Sequence, residues 1–236
     1  MTQKFLPTPP AVMDSMQPTA MRIKRYQWSL YVIGLLVCIG ITTFFFFKRY
    51  QRRQNEVAQN EMFQAIYAFE KGAFDKALRG DGTYAGLLDI AREYRFTQAA
   101  NLANFYIGVM YMHQKNYDKA VHHLTQFSAK DLLLQARAWA LVGDALTLQK
   151  AYAKAAQYYT KAAKYRPNSM FTPIYLVKAA LAYEAKQNFE AALSCYQLIV
   201  KDFPEAVQHG TALKHIARLK MIISKQLLSS NQQTTT

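Results

Sequence analysis

The chain has 236 residues, 51% of them hydrophobic, with only nine Gly and seven Pro, which suits one or two folded, helix-rich domains. Lys and Arg total 29 against 15 Asp and Glu, a formal +14; residues 1–53 hold eight basic residues and one acid, and residues 54–236 hold 21 and 14. Half of the excess therefore crowds around one apolar stretch, which favours a membrane over a nucleic-acid groove, and two cysteines, Cys38 and Cys195, exclude a disulfide-stapled secreted domain.

Residues 1–27 open with Pro7, Pro9, Pro10 and Pro18 among Thr, Gln and Met, the composition of a disordered tail. Residues 28–47 (WSLYVIGLLVCIGITTFFFF) carry no charge, and at about 1.5 Å per residue a helix of this length crosses a hydrocarbon core of roughly 30 Å. The run ends in Phe44 to Phe47 and a basic linker, 48–56, rather than in a small-residue cleavage site, so the expectation is an uncleaved anchor and not a signal peptide. Tyr26, Trp28, Tyr31 and Tyr50 sit near its ends, where amphipathic rings favour the headgroup layer. Arg22, Lys24 and Arg25 before the span balance Lys48, Arg49, Arg52 and Arg53 after it, so charge alone leaves the orientation open.

Between Pro18 and Pro167 there is no proline, which permits long helices. Three segments beginning at Asn101, Ala136 and Pro173 align without gaps, at intervals of 35 and 37 residues. In that register Gly108, Gly143 and Ala180 coincide, as do Tyr117, Tyr152 and Phe189, and Ala120, Ala155 and Ala192. The pattern resembles the tetratricopeptide repeat, a helix-turn-helix unit; in the segment from Ala136, Trp139, Gly143, Tyr152, Ala155, Tyr159, Ala162 and Pro167 take its small, aromatic and terminating positions. Small residues at the eighth and twentieth places let paired helices approach closely, and stacked pairs share a core that none could build alone.

The expected architecture is all-α: the N-terminal transmembrane helix, then a solenoid over 57–228. Within it, 57–100 is a degenerate hairpin matching at Ala65, Gly72, Phe74 and Ala77, with the extra loop RGDGTYAG before a second helix, LLDIAREYRF. Repeats occupy 101–135, 136–171 and 173–206, an amphipathic capping helix 207–228, and a disordered tail 229–236.

The single span, the basic linker and the repeat domain, with its GDGTYAGLLDI loop ahead of NLANFYIG, resemble the YfgM-like family, ancillary subunits of the bacterial SecYEG translocon, in variants of the Bacteroidota type. The resemblance implies a cytoplasmic N-terminus, a periplasmic repeat domain at the inner membrane, and association with translocon subunits, periplasmic folding factors or emerging chains.

No constellation for catalysis assembles in the sequence. His113, His122, His123, His209 and His215 lack metal-ligand spacing, and the adjacent His122 and His123 read as a solvated pair. Cys195 reads as a buried small hydrophobe, Gly80, Gly82 and Gly86 as turn glycines without a phosphate-binding Lys, and the Arg79-Gly80-Asp81 triplet is given no adhesive role. The expectation is a non-enzyme without metal or cofactor.

A repeat solenoid of this kind presents a groove along its first helices. The side chains expected there are Phe105, Tyr106, Val109 and Met112 from the first repeat, Arg137, Leu141 and Asp144 from the second, and Lys178 and Leu181 from the third. They lack the Lys and Asn clamp of members that bind chaperone tails, and suit an apolar or amphipathic protein segment, unless the chain's own first hairpin or capping helix fills the groove. The function expected is a noncatalytic interaction scaffold in the bacterial envelope, bound to lipid through residues 28–47 and to protein partners but not to nucleic acid. The alternative is a cytosol-facing receptor or assembly factor with the same anchor.

Overall fold

The computed structural model describes residues 17–131 and 133–233, so residues 1–16 and 234–236 of the two expected tails lie outside the described residues. The chain divides into two units, Met1–Arg53 and Gln54–Thr236. Helix α1, Gln17–Glu70, contributes residues to both.

In the first unit, helix begins at Gln17, inside the stretch expected to be a tail through residue 27; Pro18 then falls in the first turn, where its missing N–H costs nothing. The described side chains from Tyr31 to Tyr50 are all exposed, with Trp28 and Phe46 each 75% exposed. A helix apolar on every side has no face to turn toward water. Among the described residues this is the one helix whose length and composition suit a membrane crossing. Thr42 donates its hydroxyl to the Cys38 carbonyl at 2.8 Å, a local bond within the helix.

The linker expected over 48–56 is helical as well, because Gln, Arg, Asn and Glu are adequate helix formers and no Gly or Pro interrupts them before Gly72. In the second unit, Ala58, Met62, Ala65 and Ala68 recur at helical spacing and are buried as one stripe. Asn55 accepts the Ala99 N–H at 2.9 Å and Glu61 accepts the Tyr94 hydroxyl at 3.0 Å, fastening this stretch to residues further along the chain.

Two short helices complete the first hairpin, α2 (Phe74–Arg79) and α3 (Leu87–Glu93), so the segment ahead of the RGDGTYAG loop is itself helical. Helix α2 stops because Gly80 adopts φ 79°, ψ −178°, a region essentially restricted to glycine. The loop closes through a bridge between Gly80 and Ala85, and Asp81 accepts from the Thr83 hydroxyl and N–H. The Thr83 hydroxyl is the main reason the exposed Asp81 carboxyl lies below its usual range.

The rest of the domain is three regular hairpins: α4 (Gln98–His113) with α5 (Tyr117–Gln126), α6 (Leu134–Leu148) with α7 (Tyr152–Lys164), and α8 (Thr172–Ala185) with α9 (Phe189–Asp202). Helix α10, His209–Gln233, covers the last pair and continues through Ser229 to Gln233, residues expected to be a tail. It extends there because the chain has no Gly or Pro after Gly210.

All four hairpin turns have one design. Gly72, Lys115, Lys150 and Gln187 are left-handed, with φ of 74°, 58°, 59° and 60°. The next N–H in each case reaches back five residues, to Ala68, Tyr111, Leu146 and Tyr183, at 2.8–2.9 Å, satisfying a carbonyl the helix end would otherwise orphan. Asn116 and Asn188 then cap the next helices by accepting the N–H of Lys119 and Ala191, whereas Ala151 provides no such bond to α7. Ala151→Asn is therefore expected to stabilise the domain by about 1 kcal/mol in denaturant unfolding; no gain would mean the α7 cap is already satisfied by water.

Pairing within hairpins depends on the small residues. Ala120, Ala155 and Ala192 are all fully buried. A Cβ at Gly108 would lie 2.5 Å from Leu124 Cγ, and one at Gly143 would lie 2.6 Å from the Tyr159 ring. Two clusters of buried side chains result, one from Ala58 to Ala120 and one from Phe105 to Leu219; Leu102 packs against both. Between neighbouring hairpins, Gln114 donates to Asp75 at 3.0 Å and Gln149 to Asp118 at 2.8 Å, the same register used twice.

Candidate functional site

The first helices of successive hairpins create a cleft of about 760 Å³ between α6 and α8. Leu134, Ala140, Leu141, Phe171 and Tyr175 supply its apolar lining, and the Phe171 and Tyr175 rings stack with centroids 6.5 Å apart and planes 19° apart. Leu133, Asp131, Arg137, Asp144 and Lys178 complete it.

The two acids are already engaged. Asp131 accepts the N–H groups of Leu133 and Leu134 at 2.8 and 2.6 Å, anchoring the start of α6. Asp144 accepts the Tyr159 hydroxyl at 2.6 Å and both oxygens receive Lys178 Nζ, at 2.7 and 2.9 Å. Arg137 is exposed, and no carboxylate among the described residues pairs with it. Burial pushes the Tyr175 phenol up, with Arg137 opposing the shift.

A comparable linkage forms one hairpin on, through Glu184, which stands where Thr147 does in the preceding hairpin. Tyr196, at the place equivalent to Tyr159, donates to Glu184 at 3.2 Å, and Glu184 is paired with Arg218 of α10. His215 stacks on Tyr196 at 4.6 Å. Burial, reinforced by the neighbouring carboxylate, pushes both phenols well above their usual range, so they stay donors at any ordinary pH.

Of the side chains expected in a groove, Arg137, Leu141, Asp144 and Lys178 do converge on this cleft. The others do not. Phe105 is 7% exposed and packs against Phe127 inside the core, ring centroids 5.2 Å apart and planes tilted by 52°, because α5 and the loop after it close over that side of α4. Tyr106 meets the Phe69 ring edge-on at 5.2 Å, and Met112 packs on the same cluster, so the first hairpin occupies the α4 side. Val109 packs against the core cluster and Leu181 is 49% exposed outside the cleft. Sequence reading missed Asp131, Leu133, Leu134, Phe171 and Tyr175, which fall in connections or on first-helix positions not scanned; the aromatics four apart around Pro173 were the available signal.

The histidine pair is not solvated throughout. His122 is exposed and shares a 2.9 Å hydrogen bond with the Gln126 amide. His123 is half-buried, stacks on Tyr111 at 5.7 Å and places Nδ1 2.8 Å from Asn104 Oδ1, whose amide donates to the Ala100 carbonyl. Burial first, then the positive charges of His122 and Lys119, pull His123 down to about 4. It is therefore neutral at pH 7 and donates from Nδ1. Because the unfolded imidazole takes up its proton near 6.5, stability is full above that pH and falls as pH drops toward 4. Partial exposure screens the effect, leaving an expected loss of about 1–2 kcal/mol between pH 7 and pH 4 that is absent in His123→Gln. Equal pH dependence in the two proteins would contradict the assignment.

Cys195 is buried, and burial pushes its thiol up to about 11, the state of an inert packing group. Among the described residues, no group of three His, Cys, Asp or Glu side chains is placed to hold a metal ion.

Residues 114–169 match a family model described as tetratricopeptide repeat, and residues 175–206 match a second model of the same description. These matches and the three hairpins identify the fold as an all-α solenoid with tetratricopeptide repeats. No curated protein matches the chain.

Proposed function

We propose that this chain is a membrane-anchored, noncatalytic scaffold that holds a segment of a partner protein in the cleft between α6 and α8. Tetratricopeptide repeats point to protein partners in general. The observation that carries the reading is the cleft itself: an apolar floor from two neighbouring first helices beside Arg137, which has no carboxylate partner among the described residues, with both acids already engaged. Such a lining suits a partner segment with an apolar side chain next to an acidic group. The anchor is residues 28–47. Tethering raises the effective concentration of a partner in the same membrane, so a modest cleft suffices. The resemblance to the YfgM-like family makes Sec translocon subunits, periplasmic folding factors or emerging chains the partners to try first, with the repeat domain on the periplasmic side of the inner membrane.

Two measurements test this. Protease added to intact spheroplasts should degrade the second unit; protection would favour the cytosol-facing arrangement. Arg137→Glu, at an exposed position, should weaken partner capture about tenfold, the loss of roughly 1.4 kcal/mol, while melting stays near that of the parent chain; Leu141→Ser should weaken capture too, with some fall in melting because Leu141 packs partly against the core. Unchanged capture would mean that the partner does not bind in the cleft. Phe105 is unsuitable for this purpose because it belongs to the core.

A further inference from the structure

Helix α10 has two apolar faces where packing needs one. Ala212 and Leu219 are fully buried, and Ile216 and Ile222 pack beside them against α9 and the core. On the opposite side, Leu213, Met221 and Leu228 are 47%, 62% and 65% exposed. With about 100° per residue, these three and the exposed Ala217 fall within an arc of about 80°.

The charges around this second stripe are all of one sign. Helix α10, His209–Gln233, contains Lys214, Arg218, Lys220 and Lys225 and no Asp or Glu. Lys220 borders the stripe on one side, and Lys214 and Lys225 border it on the other. The three lysines are exposed and none forms an ion pair among the described residues, whereas Arg218 is committed to Glu184. An apolar strip flanked on both sides by long cationic side chains, with no acid to repel an anionic surface, matches the distribution that lays a helix along a lipid interface. The methylene stems lie over the apolar strip while the ammonium groups reach headgroup phosphates.

We propose that the outer face of α10 is a second membrane contact, docking flat on anionic lipid. The proposal rests on residues 28–47 spanning a bilayer, since that tether makes lipid the surface most concentrated near the domain. Intramolecular delivery lets three lysines and a narrow strip succeed where a free helix would bind weakly.

The test uses the full chain in vesicles of phosphatidylcholine alone or mixed with phosphatidylglycerol. An environment-sensitive fluorophore is placed on Ser224→Cys, between Met221 and Leu228, in a Cys38→Ala background; buried Cys195 stays in place. A blue shift in the anionic vesicles only, reversed by high salt, is the expected result. Lys214→Gln, Lys220→Gln and Lys225→Gln together should lower the bound-to-free ratio of the helix by about a hundredfold with melting unchanged. A probe that remains water-exposed in both vesicles overturns the proposal. So does a shift that ignores lipid charge but grows with protein-to-lipid ratio, which would assign the face to a second copy of this chain. Resistance to alkaline carbonate extraction reports the span independently, so an unshifted probe on a retained chain rejects the α10 contact alone.

Discussion

Replacing Gly143 by valine should lower the melting temperature of the domain by about 6 to 12 °C, the consequence of about 3 kcal/mol of overpacking in a chain of this size. A Cβ alone would come within 2.6, 2.7 and 2.9 Å of three Tyr159 ring atoms. That ring is 3% exposed and its hydroxyl is held by Asp144, so it cannot swing aside as the end of a flexible side chain would. Helix α6 must then separate from α7, and the loss spreads because α7 also packs on α8. Gly143→Ala should cost less, since the third repeat carries Ala180 opposite Tyr196 at the equivalent places. A valine variant that melts with the parent chain would mean that the helices are not in contact at this point.

Asp144→Ala should cost about 2 kcal/mol. It deprives the buried Tyr159 phenol of its 2.6 Å acceptor and releases Lys178, which joins α8 to α6. The phenol carries most of the effect, because a buried donor that loses its partner is costly, and Thr147 at 3.2 Å compensates only in part. Lys178 has a side chain 38% exposed and is solvated once freed, so the ion pair contributes little. Adding Tyr159→Phe to Asp144→Ala should therefore restore part of the stability, whereas adding Lys178→Met should not. The reverse pattern in a double-mutant cycle would place the energy in the ion pair.

These two sites show what the sequence made legible. Gly143, Tyr152 and Ala155 occupy positions where sterics allow little choice, and the same register recurs three times, so the hairpins could be read without coordinates. The close approach at Gly108 and Gly143 is the physical content of that pattern. The extent of the helices was harder to read. Polar residues 48–56 and 229–233 are compatible with helix or coil, and the neighbouring residues on either side decide between them.

The groove was legible only in its central part. Arg137, Leu141, Asp144 and Lys178 project from adjacent first helices, as equivalent repeat positions require. Phe105, Tyr106 and Met112 occupy positions of the same kind, yet the degenerate first hairpin, whose 43-residue offset departs from the regular interval, packs onto α4 and covers Tyr106 and Met112, while Phe105 turns into the core beside Phe127. His123 was misread for a related reason: an adjacent pair on a helix points about 100° apart, so one ring can face Tyr111 and Asn104 while the other remains in water.

The α6–α8 cleft is the docking place proposed for a partner segment. A photoreactive amino acid at Leu141, irradiated in native membranes, addresses it most directly, with the same group at exposed Lys154 on α7 as the reference position. A discrete protein adduct is expected from position 141, missing from position 154 and lost with Arg137→Glu. Identical adducts from both positions, or none from position 141 in a chain that remains folded and membrane-bound, would contradict it.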